Sequence, residues 1–195
     1  MNELPFENKT CLHMEKNNYK KNDCFLLRGT DVNDPMTVFQ ITSIDEIHIW
    51  AKTISITNKM IDGWPTSDKY GNVIPDNAIR LPSNSWRWAK KQMLSFVKET
   101  NAYLHDNIIK EKADIVIGGH YYSYGEITTV KEIGDERIKF MVFKLDEDCI
   151  SPYWTRDWRK DNTESWYSIS EETYNEVIRR YNDLLSRIRN KFCKV

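Results

Sequence analysis

The sequence predicts an α+β protein made by internal duplication of a small antiparallel β-barrel or half-barrel, each copy reading β-β-β, long loop, α-helix. Three recurrences carry this. Ile41, Ile44, Ile54 and Ile56 are matched 89 residues on by Val130, Ile133, Phe143 and Leu145. The stripe Ala89, Met93, Phe96, Val97, Thr100, Leu104 returns 88 residues on as Val177, Tyr181, Leu184, Leu185, Ile188, Phe192. Lys21-Asn22-Asp23-Cys24-Phe25-Leu26 is matched 91 residues on by Lys112-Ala113-Asp114-Ile115-Val116-Ile117. Drifts of one or two residues are what loop insertions leave, and a period this long implies two copies of a folded unit. The expected division is a polar leader over 1–20, a first repeat over 21–110 and a second over 111–195. The copies are expected to pack with pseudo-twofold symmetry.

Each element follows from local chemistry. Cys24 to Leu27 is a short apolar run ending at Arg28-Gly29, and Thr30 to Pro35 carries the Asp, Asn and Pro of a turn. Met36 to Ser43 reads as a strand. Ile47, Ile49 and Ala51 alternate with His48, Trp50 and Lys52 before Thr53 to Thr57, the signature of a half-buried strand. Asn58 to Ser83 is broken by glycines and prolines and reads as a long loop. Ser83, Asn84 or Ser85 can cap a helix running to about Asn107. In the second copy, strands are expected over Asp114–Ile117, Tyr122–Glu132 and Arg137–Leu145, then a long aromatic loop to Tyr167. A helix then starts at Ser170-Glu171-Glu172. Its early acids and late Arg and Lys both suit the helix dipole, so these charges need no partner.

Composition narrows the function classes. Seven Trp and ten Tyr supply the apolar area a chain needs to fold, which argues against disorder. A net charge of −1 gives no global field drawing in nucleic acid or an anionic membrane. The longest apolar runs are far too short to span a bilayer, and the first residues lack the basic and apolar regions of a signal peptide. A cytoplasmic, reducing location is the expectation. The four cysteines form no Cys-x-x-Cys pair, and Cys11-x-His13 with Cys24 is a poor zinc pattern, so neither metal nor cofactor is expected.

Two segments are candidate sites. The first is the Trp/Arg-interleaved loop chemistry of Trp64, Trp86, Arg87 and Trp88 in copy one and Trp154, Arg156, Trp158 and Arg159 in copy two. Such rings stack bases while guanidinium groups hold phosphate, and equally they form the hot spots of protein interfaces. The bland alternative is that the rings plug the barrel ends. The second is Ile117 to Gly125, where His120 and Tyr122 beside a Gly pair can line a polar pocket. The four histidines fall in no catalytic pattern.

The reading is therefore a non-catalytic binding protein, an inhibitor or adaptor, gripping a protein partner through its Trp, Tyr and Arg loops. One alternative is a sensor or sequesterer of a nucleotide or single-stranded nucleic acid, with a small anionic ligand suiting the near-neutral charge better than a polymer. Another is a hydrolase using His120 with a nearby carboxylate. A homodimer is compatible with all three. The Lys, Asn and Ile abundance suits an AT-rich phage or bacterial genome.

Overall fold

The computed structural model describes residues 19–28, 36–45, 49–56, 78–109, 114–147 and 149–192. It is an α+β protein with two antiparallel sheets and two helices, divided into two units. The described part of the first ends at Lys91, and that of the second starts at Gln92. The first unit holds β1 (Cys24–Arg28), β2 (Met36–Ile44), β3 (Ile49–Ile56) and β4 (Ile79–Leu81) in the order β4-β1-β2-β3. Helix α1 (Ser85–Asn107) follows. The second unit holds β5 (Ile108–Ile109), β6 (His120–Ser123), β7 (Glu126–Ile133), β8 (Arg137–Leu145), β9 (Cys149–Arg159), a 3₁₀ turn (Lys160–Thr163) and β10 (Tyr167–Ile169). Its order is β9-β8-β7-β6-β10-β5, and helix α2 (Glu171–Phe192) closes the chain of elements.

In the first unit, period-two alternation buries both faces. Phe25, Phe39, Ile41 and Ile49 form one cluster, with Tyr19, Leu27 and Ala51 packed on it. Arg80 lies over the rings of Tyr19 and Phe25, 5.6 and 5.5 Å from their centroids, and pairs with Asp23. On the alternate positions Cys24 and Leu26 are buried, and the Cys24 thiol reaches the backbone of Trp86 at the start of α1. In the second unit, Tyr121, Val130, Ile138, Phe140, Val142 and Trp166 fill one face of the sheet. The opposite face takes the apolar stripe of α2, with the Tyr181 ring edge-on to Phe143 at 5.3 Å. Ser170 caps α2, its Oγ accepting the Thr173 N–H at 3.1 Å.

The two ladders pair in the same register, strand for strand. Phe25 faces Phe39 and Phe39 faces Thr53; at the matching places Tyr121 faces Thr128 and Thr128 faces Val142. A bulge interrupts β2 between Ile41 and Ser43, and one interrupts β7 between Val130 and Glu132, 89 residues on. β4 pairs with β1 as β10 pairs with β6. Before each first strand the same tight turn recurs. The Asn22 N–H donates to the Ile41 carbonyl, and the Gly118 N–H donates to the Val130 carbonyl. Asn22 and Gly118 both adopt positive φ, 74° and 83°.

Four expectations need correction. No closed barrel forms among the described residues: each sheet is open, because four strands are too few to close around side chains, and β10 and β5 are only 3 and 2 residues long. Asp114–Ile117 is not a strand but an approach and turn, so the true displacement of the first strand is 96 (Cys24 to His120), not 91. Tyr122–Glu132 is not one strand, since Tyr124 and Gly125, at φ 47° and 77°, fold it into the hairpin of β6 and β7. Half of the expected aromatic loop from Asp146 to Tyr167 is β9, which pairs along the length of β8. The leader up to residue 18, Trp64 and most of the first long loop lie outside the described residues.

Candidate functional site

The interleaved Trp and Arg of the second unit lie on β9, and a strand sorts alternate residues to opposite faces. Arg156 faces Phe140 and Trp158 faces Ile138 in register, so both share the face of the Trp166 cluster. Arg159 faces Arg137 on the other side. The pattern that suggested one stacking-and-clamping loop is thus split across the sheet. Arg156 is further committed: its guanidinium forks onto the Glu126 carboxylate at 3.0 and 3.3 Å, half-buried. A bidentate pair of this kind leaves little of the fork to hold phosphate. Trp154 pairs with Val142 in register; its side chain lies outside the described atoms.

Trp158 remains presented. Its ring is 42% exposed and rests against Phe140 with centroids 6.0 Å apart. Exposed Lys131, Arg137, Lys139, Arg159 and Lys160 surround that end of the sheet, met there by Glu132, Asp135, Glu136 and Asp157. Arg137 reaches Asp157 at 3.6 Å, which relieves the like charge of Arg159 opposite it.

In the first unit, Trp86 is buried at 8% exposure, with the Lys52 ammonium 5.3 Å above its ring. Trp88 is half-buried and Arg87 exposed on α1. Trp86 and Trp166 follow the bland reading of rings that fill cores. Trp158 does not.

His120 and Tyr122 are brought to the helix-covered face of the second sheet. His120 is buried, its ring stacked on Tyr174 at 3.8 Å and 8°. Its Nε2 lies 2.8 Å from Glu171 Oε2, so the carboxylate accepts the Nε2 proton. Nδ1 lies 2.8 Å from Thr129 Oγ1, whose hydroxyl donates when the ring is neutral. Both ring nitrogens are occupied, so the imidazole is not free to take a substrate proton. The Tyr122 hydroxyl donates to Asn101 Oδ1 at 3.0 Å. Burial pushes its phenol above the ordinary value, offset in part by a hydrogen bond with the Gly125 backbone. Gly119 is required here, because a Cβ would stand 2.5 Å from the Tyr121 hydroxyl. That hydroxyl donates to the Asp114 carbonyl and accepts the Val116 N–H.

Sequence reasoning passed over Glu171, read as a helix-dipole residue, and took Tyr124 only as one of three tyrosine hydroxyls in the Ile117–Gly125 segment, not as a turn residue 91% exposed between β6 and β7. The signal for Tyr124 was available in Tyr-Gly between two alternating runs, although Tyr is not a usual turn residue. Among the described residues no group of three His, Cys, Asp or Glu is placed to hold a metal. No helix there is long and apolar enough to cross a membrane. No protein-family model matches this chain, and neither a curated protein nor a solved structure is similar to it.

Proposed function

We propose that the protein is a non-catalytic binding protein, an inhibitor or adaptor, that grips a protein partner through the Trp158 end of the second sheet. The observation that carries this is Trp158, 42% exposed and held from behind by Phe140, at an end of the sheet whose exposed charges are of both signs. Trp with nearby Arg is the usual composition of an interface hot spot. A mixed rim favours a protein over a polyanion, whose binding needs an uncompensated basic surface. The commitment of Arg156 to Glu126 weakens the nucleotide alternative. The doubly bonded, buried imidazole of His120 weakens the hydrolase alternative.

The shared register and paired bulges support a second proposal, that the units descend from duplication of one β-β-β-(β)-α module. The same proposal has the copies pair about a pseudo-twofold axis, as fused copies of a once-separate dimer would.

Affinity purification from the native cells with wild-type chain and with Trp158→Ala tests the binding function. A partner retained by wild type and lost from the folded variant by tenfold or more is expected, since truncating a hot-spot ring costs about 2 kcal/mol. Equal retention by both rejects this surface.

A further inference from the structure

We infer a second protein-binding surface at the opposite end of β7, built on Tyr124 with Tyr122 and Tyr167, for a partner whose patch is rimmed by Lys and Arg. It does not depend on the Trp158 surface. Tyr124 occupies the first position of a two-residue turn whose two residues have φ 47° and 77°, the type I′ geometry that Asn, Asp or Gly adopt with least strain. A bulky ring there is unfavourable for the fold, and at 91% exposure it gains almost no burial within the chain in return. The turn is nevertheless held firmly: the Leu145 N–H donates to the Gly125 carbonyl at 2.9 Å, and β6 and β7 pair up to Ser123 and Glu126. The backbone that carries the phenol is therefore fixed before binding, which lowers the entropy lost there.

Neighbouring side chains extend the patch. Tyr122 faces Tyr167 directly across β6 and β10, and Tyr167 is 45% exposed. Tyrosines offer large, stiff, amphipathic area at low entropic cost, the property that makes them dominate binding loops. The rim is polar and carries exposed acids: Ser123 and Ser165 hydroxyls meet at 3.1 Å, Glu164 beside them is exposed, and Glu147 is exposed two residues beyond Leu145, whose N–H bonds the turn, while the nearby Lys144 is paired with Asp146 at 3.0 Å. An acidic rim around phenol faces complements guanidinium or ammonium groups, which also stack on such rings. It repels phosphate backbones and anionic lipid.

The test replaces Tyr124 by the photo-crosslinker p-benzoylphenylalanine in the full chain, irradiated in lysate of the native cells. One discrete protein adduct is expected, mapping to a peptide bearing Lys or Arg and weakening as salt is raised. Excess unlabelled wild type and Trp158→Ala should suppress it, while folded Tyr124→Asn should not. Tyr124→Asn should also raise the thermal midpoint by about 2 °C, because Asn suits the turn. Suppression by Tyr124→Asn equal to wild type, an adduct to lipid or nucleic acid, no adduct, or a lowered midpoint would each overturn the inference. Suppression by Tyr124→Asn combined with failure of Trp158→Ala would move the binding to the Trp158 end.

Discussion

The same point of the ladder is occupied in the first unit by Cys24 and in the second by His120, and the two sites solve burial by opposite means. Each residue starts its strand, Cys24 facing Gln40 and His120 facing Thr129, and each meets an aromatic from the first turn of the following helix. Cys24 is fully buried near the Trp86 backbone, and burial pushes its thiol up to about 11. A small, weakly polar group needs few partners there. His120 carries two polar nitrogens into an equally buried place, and two partners answer them: Thr129 from β7 and Glu171 from the start of α2. Where Glu171 stands in the second unit, Ser83 stands 88 residues earlier in the first. The backbone ladder therefore tolerates a change from thiol to imidazole only together with the groups that satisfy it. A buried histidine beside a carboxylate is here a clasp between sheet and helix.

Exchanging the two solutions breaks the comparison most severely. Cys24→His places an imidazole where no Glu171 equivalent exists, and a loss of about 3 kcal/mol is expected in chemical denaturation. A loss below about 1 kcal/mol would mean the first site can supply partners after all. His120→Leu should cost about 2 kcal/mol, since it strands the buried Thr129 hydroxyl and unties the first turn of α2. A neutral result would show that the clasp contributes nothing to folding.

The smallest effect sharpens the thiol side. The unfolded chain releases the Cys24 proton at the ordinary thiol value of 9.0, before the folded state does at about 11. Below both values the states bind the proton equally; between them the unfolded state binds fewer protons, so stability falls as pH rises. Wild type should lose stability across that window faster than Cys24→Ala, measured as the difference between their denaturation midpoints. Parallel curves would show the thiol to be unshifted.

Most of the framework was legible in the sequence because it rests on periodicity. The stripes of α1 and α2, the β2–β3 and β7–β8 hairpins and the 89-residue displacement all follow from where apolar side chains recur. The failures have local causes. Ile115-Val116-Ile117 looks like a strand, yet Val116 and Ile117 are 53% and 65% exposed in the turn before β6. There the run served as a false anchor and gave the displacement of 91. Pro152 and the charges after it hid β9, whose residues beyond Pro152 alternate between a cluster face and a face that tolerates polar side chains. Of the candidate site, residue types were legible and exposure was not: the alternation of a strand separates Trp158 from Arg159, and only the register says which face each takes.

The claim on which the account stands is that binding belongs to exposed aromatics of the second sheet and not to the buried His120 and Trp86. Partner retention by the full chain, compared among Trp158→Ala, Tyr124→Asn, Trp86→Phe and His120→Gln after each is confirmed folded, tests it directly. The predicted result is loss of one partner from Trp158→Ala, loss of the other from Tyr124→Asn, and retention of both by Trp86→Phe and His120→Gln. A folded His120→Gln that releases either partner while Trp158→Ala and Tyr124→Asn hold both would contradict the account.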